Sequence, residues 1–313
     1  MTNNESRKYT KRQKVLITGI LVSMFIGIAI TAIRYLGKSA YYVGMEGTAL
    51  LYIAVPTFIA LAFASSRFNV TSSGTVMGAT LKTITFLILM SGPILQEGFV
   101  CMIMAAPILY IVGALAAWPF DVYRKNRSAN NLKLYILPTL LLLTSLEGVF
   151  VQTSFNRSNT VEHSQIINSD LAAIKSKLAS DRQLAAPDSL MVKIFPRPAM
   201  ITANGLAIGD LQTVDISYFK WIYWNEKRGK IQFEVANNSE NIYTFKLVKD
   251  DSYLHTYLAW KDTTVILQPL SEHRTKVTWR ISFDRKIDPA WYVQPLERYS
   301  VTAAAEMMVA SLQ

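Results

Sequence analysis

Hydrophobic and polar positions divide this chain in two. In the first half the apolar residues come in long runs. Residues 15–36 read VLITGILVSMFIGIAITAIRYL, with one charge near the far end. Residues 48–65 form a second run, interrupted only by Pro56, and residues 134–151 form the last. Residues 75–120 are long enough for two crossings and are broken in the middle by Ser91-Gly92-Pro93 and Glu97-Gly98. A hydrocarbon core about 30 Å thick is spanned by roughly 20 helical residues. The pattern therefore predicts five transmembrane helices within residues 15–151. Pro56 does not veto its helix, because neighbouring helices re-satisfy freed backbone groups. The first run is too apolar over too great a length for a cleaved signal peptide, and no small-x-small pattern follows it closely.

After residue 151 the periodicity changes. Residues 152–160, QTSFNRSNT, read as a polar linker, and residues 161–313 have globular composition, ample for one core. Residues 161–168 read as a strand. Ser169 is placed to cap a helix over Leu171, Ile174 and Leu178. Pro187, Pro196 and Pro198 mark a winding connection, and Gly205 and Gly209 punctuate the next turn. Strand-like runs follow at 213–224, 230–236, 242–248, 253–260, 262–268 and 275–284. Alternation is cleanest at Ile231, Phe233, Val235 and at Val277, Trp279, Ile281, Phe283. Lys227-Arg228-Gly229, Lys249-Asp250-Asp251 and Trp260-Lys261-Asp262 read as hairpin connections. Pro295 is placed to start a closing helix with the stripe Leu296, Tyr299, Ala303, Met307, Ala310. The expected architecture is an α-helical membrane domain followed by an α+β domain, a curved antiparallel sheet around a long C-terminal helix.

That order resembles the helix-grip fold of the START-like (SRPBCC) superfamily, which includes polyketide cyclases and lipid-transfer domains. The resemblance covers roughly residues 160–313. It rests on Pro196-Arg197-Pro198, the Gly205 to Gly209 turn, the Thr275-Lys276-Val277-Thr278-Trp279 strand leading to Phe283, and the closing helix. It implies a seven-stranded sheet enclosing an apolar cavity, which in related proteins holds a lipid, sterol, polyketide or other hydrophobic ligand. The first half, most of all the stretch from Ser91-Gly92-Pro93 to Pro107, is similar to bacterial multi-span proteins that carry such a domain.

Charge sets the orientation. The chain has 313 residues and a formal net charge of +10, but only 17% of its residues are charged, against about a quarter in an ordinary soluble protein. Residues 1–14 hold Arg7, Lys8, Lys11, Arg12 and Lys14 against Glu5, a basic tail. From residue 158 onward the signs nearly balance, eighteen basic against seventeen acidic. A nucleic-acid binder would carry a basic stripe with interleaved aromatics on a folded domain, so nucleic acid is not an expected partner. Placing the N-terminus in the cytoplasm puts Arg67, Arg124, Lys125, Arg127 and Lys133 inside with the tail, and leaves Arg34, Lys38 and Arg157 outside. That is the positive-inside pattern of an inner-membrane protein with its C-terminal domain extracytoplasmic. A single crossing in residues 75–120 would reverse that placement.

One cysteine, Cys101, excludes an internal disulfide framework and a cysteine-built zinc site, and three histidines leave little for a metal centre. No metal or cofactor is expected. Three of the four acidic residues within residues 15–157 occur as Glu-Gly, at Glu46, Glu97 and Glu147. The topology brings all three towards the outer face. Intramembrane carboxylates tend to face a cavity or partner, so an acidic site for a cation, proton or headgroup is one reading. Wetted helix starts are the other reading for Glu46 and Glu97, whereas Glu147 sits within an apolar run. Cys101 reads as a small hydrophobe and Pro107 as a kink.

In the second half, His163 and His255 fall in strands and His273 in a polar turn. A His255–Asp215 pair across the sheet would make a general base; satisfied strand histidines are the alternative. Inward sheet positions and the inner face of the last helix would line a cavity, with Phe233, Trp279, Phe283, Tyr299 and Met307 as candidates. Trp221 and Trp224 suit a lipid surface. Three readings follow: a membrane-anchored domain binding a lipid or other hydrophobic small molecule, a membrane enzyme with an intramembrane acidic site, or a sensor or assembly subunit docking a protein partner. The first is preferred, with catalysis not required.

Overall fold

A computed structural model describes residues 47–65, 74–95, 98–126, 131–149, 151–185, 195–221 and 224–313. The chain forms two compact units, residues 1–154 and 155–313.

In the first unit a π-helical turn, Leu50–Ala54, runs into α1 (Val55–Ser65), followed by α2 (Val76–Leu95), α3 (Phe99–Asn126) and α4 (Asn131–Thr144). Two of these are long and apolar enough to cross a membrane: Val76–Pro93 and Phe99–Lys125, with mean hydropathies of 1.3 and 2.4. Only 28% and 22% of those spans are buried, unlike the core helices of a water-soluble domain. The helices of the second and fifth expected crossings are shorter, Leu50–Ser65 and Leu134–Thr144. The first run, residues 15–36, lies outside the described residues, as do Glu46 and Glu97.

The small residues of α3 let α2 come close. A Cβ on Gly113 would collide with the side chain of Ile84. Thr57 and Thr80 are buried but donate to the carbonyls of Ile53 and Val76 one turn back (2.7 and 2.8 Å), so their hydroxyls are satisfied within the helix. Asp121, near the end of α3, accepts the backbone N–H groups of Val76 and Met77 (2.7 and 2.9 Å). It thus fills two of the donors that every helix N-terminus leaves unpaired.

The second unit is an eight-stranded antiparallel sheet in the order β1-β8-β7-β6-β5-β4-β3-β2, curved around one long helix. Its strands are β1 (Ser158–Ile167), β2 (Arg182–Gln183), β3 (Arg197–Ala203), β4 (Leu211–Trp221), β5 (Trp224–Ser239), β6 (Ile242–Asp250), β7 (Leu258–Ser271) and β8 (Arg274–Arg285). Helix α5 (Leu171–Leu178) follows β1, and α6 (Ala290–Ala310) closes the chain. The α+β helix-grip architecture holds, with one strand more than the seven expected. The extra one is β2, a two-residue pairing of Arg182 and Gln183 with Ile201 and Met200.

Several local expectations change. The α5 cap is Asp170, whose carboxylate accepts from Ala173 N–H (2.6 Å), while the carbonyl of Ser169 accepts from Thr275 Oγ1. Lys227-Arg228-Gly229 is no turn but the middle of a strand paired with β4. Gly229 is there because any Cβ would strike the backbone at Ser252. Trp260-Lys261-Asp262 is a bulge inside β7, where the register against β8 shifts. Residues 253–256 form a short 3-10 turn instead of a strand. The tight β5–β6 hairpin turns at Glu240 and Asn241, both with positive φ (47° and 68°). Helix α6 starts at Ala290, five residues before Pro295, and buries Val293, Glu297, Val301, Ala305 and Met308 together with Ala303 and Met307 of the expected stripe, while Tyr299 is half exposed.

Candidate functional site

Side chains alternate across a strand, so β8 sends Val277, Trp279, Ile281, Phe283 and Arg285 to the concave face, all of them buried. Direct cross-strand partners share a face, and β7 sets Val265 against Trp279 and Leu258 against Arg285. Between this surface and α6 lies a cavity of about 60 Å³. A single water needs only about 15 Å³, so there is room for several waters or a small organic group. The wall is mostly apolar: Ile201 from β3, Val214 and Ile216 from β4, Ile231 and Phe233 from β5, Trp279 and Ile281 from β8, with Gln212 and Thr263 as polar members. Val301, Ala304 and Met308 of α6 form the floor.

Of the five cavity candidates, Phe233 and Trp279 line this space. Phe283 is fully buried and is not part of the lining. Tyr299 is half exposed (49%) and, with Met307, lines a small adjoining cleft against Phe195, Pro196 and Arg197. Trp221 and Trp224 are paired at the β4–β5 end. Glu147 is buried in the first unit, where its carbonyl accepts from Ala49 N–H (3.1 Å).

The chemistry-bearing residues that the sequence reading passed over lie at the two ends of the grip. At one end, Arg285 and Asp288 are wholly buried and paired. Asp288 also receives Arg157 Nη2 (2.6 Å), while Arg285 Nη1 donates to the carbonyl of Ile287 as well. Glu297, only 5% exposed, faces this cluster from α6. Burial pushes its carboxyl up to about 8; Arg285 opposes the shift, Asp288 adds to it and Arg157 opposes it. Among the described residues, neither oxygen of Glu297 nor Nε and Nη2 of Arg285 has a hydrogen-bond partner, and the same holds for Trp260 Nε1 on the cavity wall.

At the other end Arg182 donates through Nη1 to the carbonyls of Leu178 (3.0 Å), Ser180 (3.2 Å) and Lys177 (3.3 Å), where a cation complements the C-terminal dipole of α5. Its guanidinium stands 5.9 Å from the Trp279 ring centroid, and burial pulls it down to about 10. Gln212, also on the cavity wall, donates to the Leu178 carbonyl (2.9 Å).

The His255–Asp215 pair does not form. His255 Nδ1 lies against the Ser252 carbonyl (2.5 Å), and Asp215 faces Lys230 across β4–β5 (3.9 Å). His163 Nδ1 lies 3.7 Å from Glu306 at the surface. Among the described residues, no three His, Cys, Asp or Glu side chains converge as a metal site.

No protein-family profile and no curated protein matches the chain. Among solved structures, it is similar to a norcoclaurine synthase from Thalictrum flavum, at 13% identity over 50% of this chain and 85% of that one, with a TM-score of 0.32. It is likewise similar to a START superfamily protein from Mycobacterium smegmatis, at 12% identity over 49% and 93% of the two chains, with a TM-score of 0.33.

Proposed function

We propose that this is an integral inner-membrane protein whose C-terminal helix-grip domain, outside the cytoplasm, binds a lipid or other hydrophobic small molecule. The observation that carries the reading is the largely apolar cavity between the sheet and α6. A packed interior leaves few voids larger than a water, so a space of this size at the centre of the grip fits a ligand better than a core. Phe233 and Trp279 form part of its wall, and Tyr299 and Met307 stand at the adjoining cleft.

Membrane integration is supported by the exposed apolar surface of the first unit, including Leu89, Ile111, Trp118, Leu140 and Leu143. The organisation that follows is a basic cytoplasmic tail (1–14), five transmembrane helices within 15–151, a linker (152–160) and the binding domain (161–313). The excess of basic residues on one set of loops supports the orientation.

The test is native mass spectrometry of the full chain released from lipid nanodiscs, followed by organic extraction. A discrete apolar species at near one-to-one occupancy is the expected result. A clean apo mass with no uptake from a mixed lipid panel would overturn the reading.

A further inference from the structure

The connections at the two ends of the second unit differ in kind. At one end they are residues 168–170, 179–181, 204–210, 240–241 and 272–273. Contacts such as Thr275 Oγ1 to the Ser169 carbonyl and Leu267 N–H to the Asn241 carbonyl join them to the sheet. They carry Asp170, Asp181, Asp210, Glu240 and Glu272, with no lysine, arginine, phenylalanine, tyrosine or tryptophan. Lys175 and Lys177 of α5 stand beside them.

The opposite end is aromatic. There the chain enters the unit at Phe155, 64% exposed and three residues before β1. Arg285 N–H donates to the Arg157 carbonyl (2.8 Å), which ties this entry to the last residue of β8. Helix α6 begins five residues later and exposes Trp291 (60%), whose ring meets Tyr292 edge-on at 5.8 Å. The β6–β7 turn adds Tyr253 and Tyr257, and Lys286 N–H donates to the Tyr257 carbonyl (3.0 Å). Tyr253 stacks on Tyr218 of β4 at 5.1 Å, and β4 ends on Trp221, paired with Trp224 of β5. This β4–β5 arm, residues 215–230, carries Lys220, Lys227, Arg228 and Lys230 against Asp215 and Glu226. Charges around it are matched: Lys249 with Asp251, Lys261 with Asp284 and Arg157 with Asp288.

Trp, Tyr and Phe beside Lys and Arg suit the boundary between lipid and water, where rings fit the headgroup level and cations meet phosphates. The tether names the occupant. Only Ser154 to Arg157 separate the turn Val151–Thr153, which closes the apolar first half, from β1, and four extended residues reach about 14 Å. We infer that this aromatic end, with Phe155, Trp291, the Tyr253–Tyr257 turn and the β4–β5 arm, is a docking surface for the headgroup layer of the bilayer. This rests on the membrane reading above and adds which part of the binding domain meets lipid. Leu254, inside the same turn, and Leu258 also line the cavity, so a docked end holds the ligand site beside the apolar phase.

The experiment is site-directed spin labelling of the full chain, carrying Cys101→Ser, in nanodiscs of equal parts phosphatidylcholine and phosphatidylglycerol. A single label is placed by Thr256→Cys at the aromatic end, by Ile208→Cys at the acidic end, or by Ile111→Cys on α3; all three positions are exposed. Collisions with oxygen, which concentrates in lipid, are compared with collisions with water-soluble nickel-EDDA. Oxygen is expected to dominate at the Thr256 and Ile111 sites and nickel at the Ile208 site. Nickel dominating at Thr256 with oxygen at Ile111, or oxygen dominating at Ile208 as well, overturns the docking surface and leaves the membrane reading intact. Few collisions with either reagent at Thr256 mean that protein covers this end, which also overturns lipid docking. Nickel dominating at all three sites overturns both readings.

Discussion

The two units of this chain treat their apolar residues in opposite ways. In the C-terminal unit a large set of them points inward: Phe245, Phe283, Ile201 and Ile231 are at most 1% exposed. In the N-terminal unit large ones point outward along α2, α3 and α4, while Thr57, Thr80, Thr83, Ser145 and Glu147 are buried. If the first unit is membrane-embedded, as proposed, the difference is one of solvent. On that reading, water drives apolar surface together in one unit, whereas lipid tails give it no reason to leave the surface of the other. The same contrast separates the charges. Asp121 spends its carboxylate on the N-terminus of α2, a local duty, whereas the C-terminal unit buries Arg285, Asp288 and Glu297 beside a partly exposed Arg157.

The largest effects should come from that cluster. Asp288→Asn leaves two arginines without their shared counter-charge, and breaking a buried pair costs about 3–5 kcal/mol. Hydrogen exchange of β8 in the full chain would show the loss as faster opening. Phe283→Ala should cost a similar 3–5 kcal/mol by opening a void, whereas Leu143→Ala, at a side chain 60% exposed on α4, should stay within about 0.5 kcal/mol in lipid nanodiscs. Equal costs at the two positions would break the contrast. Gly113→Leu should separate α2 from α3 at about 1–3 kcal/mol by overpacking against Ile84, seen as a lowered unfolding midpoint of the first unit in nanodiscs.

The remaining effect is a pH dependence. Glu297 binds its proton more tightly folded (about 8) than unfolded (4.5), so its contribution to stability is complete below about 4.5 and fades as pH rises towards 8. Urea midpoints measured across that window should decline in the wild type, with Glu297→Gln showing a shallower slope. A slope unchanged by the substitution would remove Glu297 as its source.

How far these features were legible depended on whether a local pattern told the truth. The alternation of Val277, Trp279, Ile281 and Phe283 marks an inward row, and continuing it by one step would have reached Arg285, which charge alone kept out of the core list. Helix α6 misled for the same reason. Its buried face holds Ala303 and Met307 of the expected stripe but centres on Val293, Glu297, Val301, Ala305 and Met308, and the glutamate in the middle keeps that row out of an apolar count. A carboxylate interrupting an otherwise apolar helix stripe, together with an arginine ending an apolar strand row, was the available signal. Gly229 and the Trp260-Lys261-Asp262 bulge were read as turns because local composition carries no knowledge of Ser252 approaching from a distant segment, nor of a register shift against β8. Trp260 was a cavity-wall residue hidden inside that bulge.

The most direct test of the account fills the cavity without touching the cluster. Ala304 lies on its floor, and Ile208 is an exposed position (70%) in the loop before β4. Full-length wild type, Ala304→Trp and Ile208→Trp would be purified in nanodiscs and their bound apolar species quantified after native mass spectrometry. Wild type and Ile208→Trp should retain the species and Ala304→Trp should lose it while keeping its fold. Equal retention in all three would contradict a ligand held between the sheet and α6.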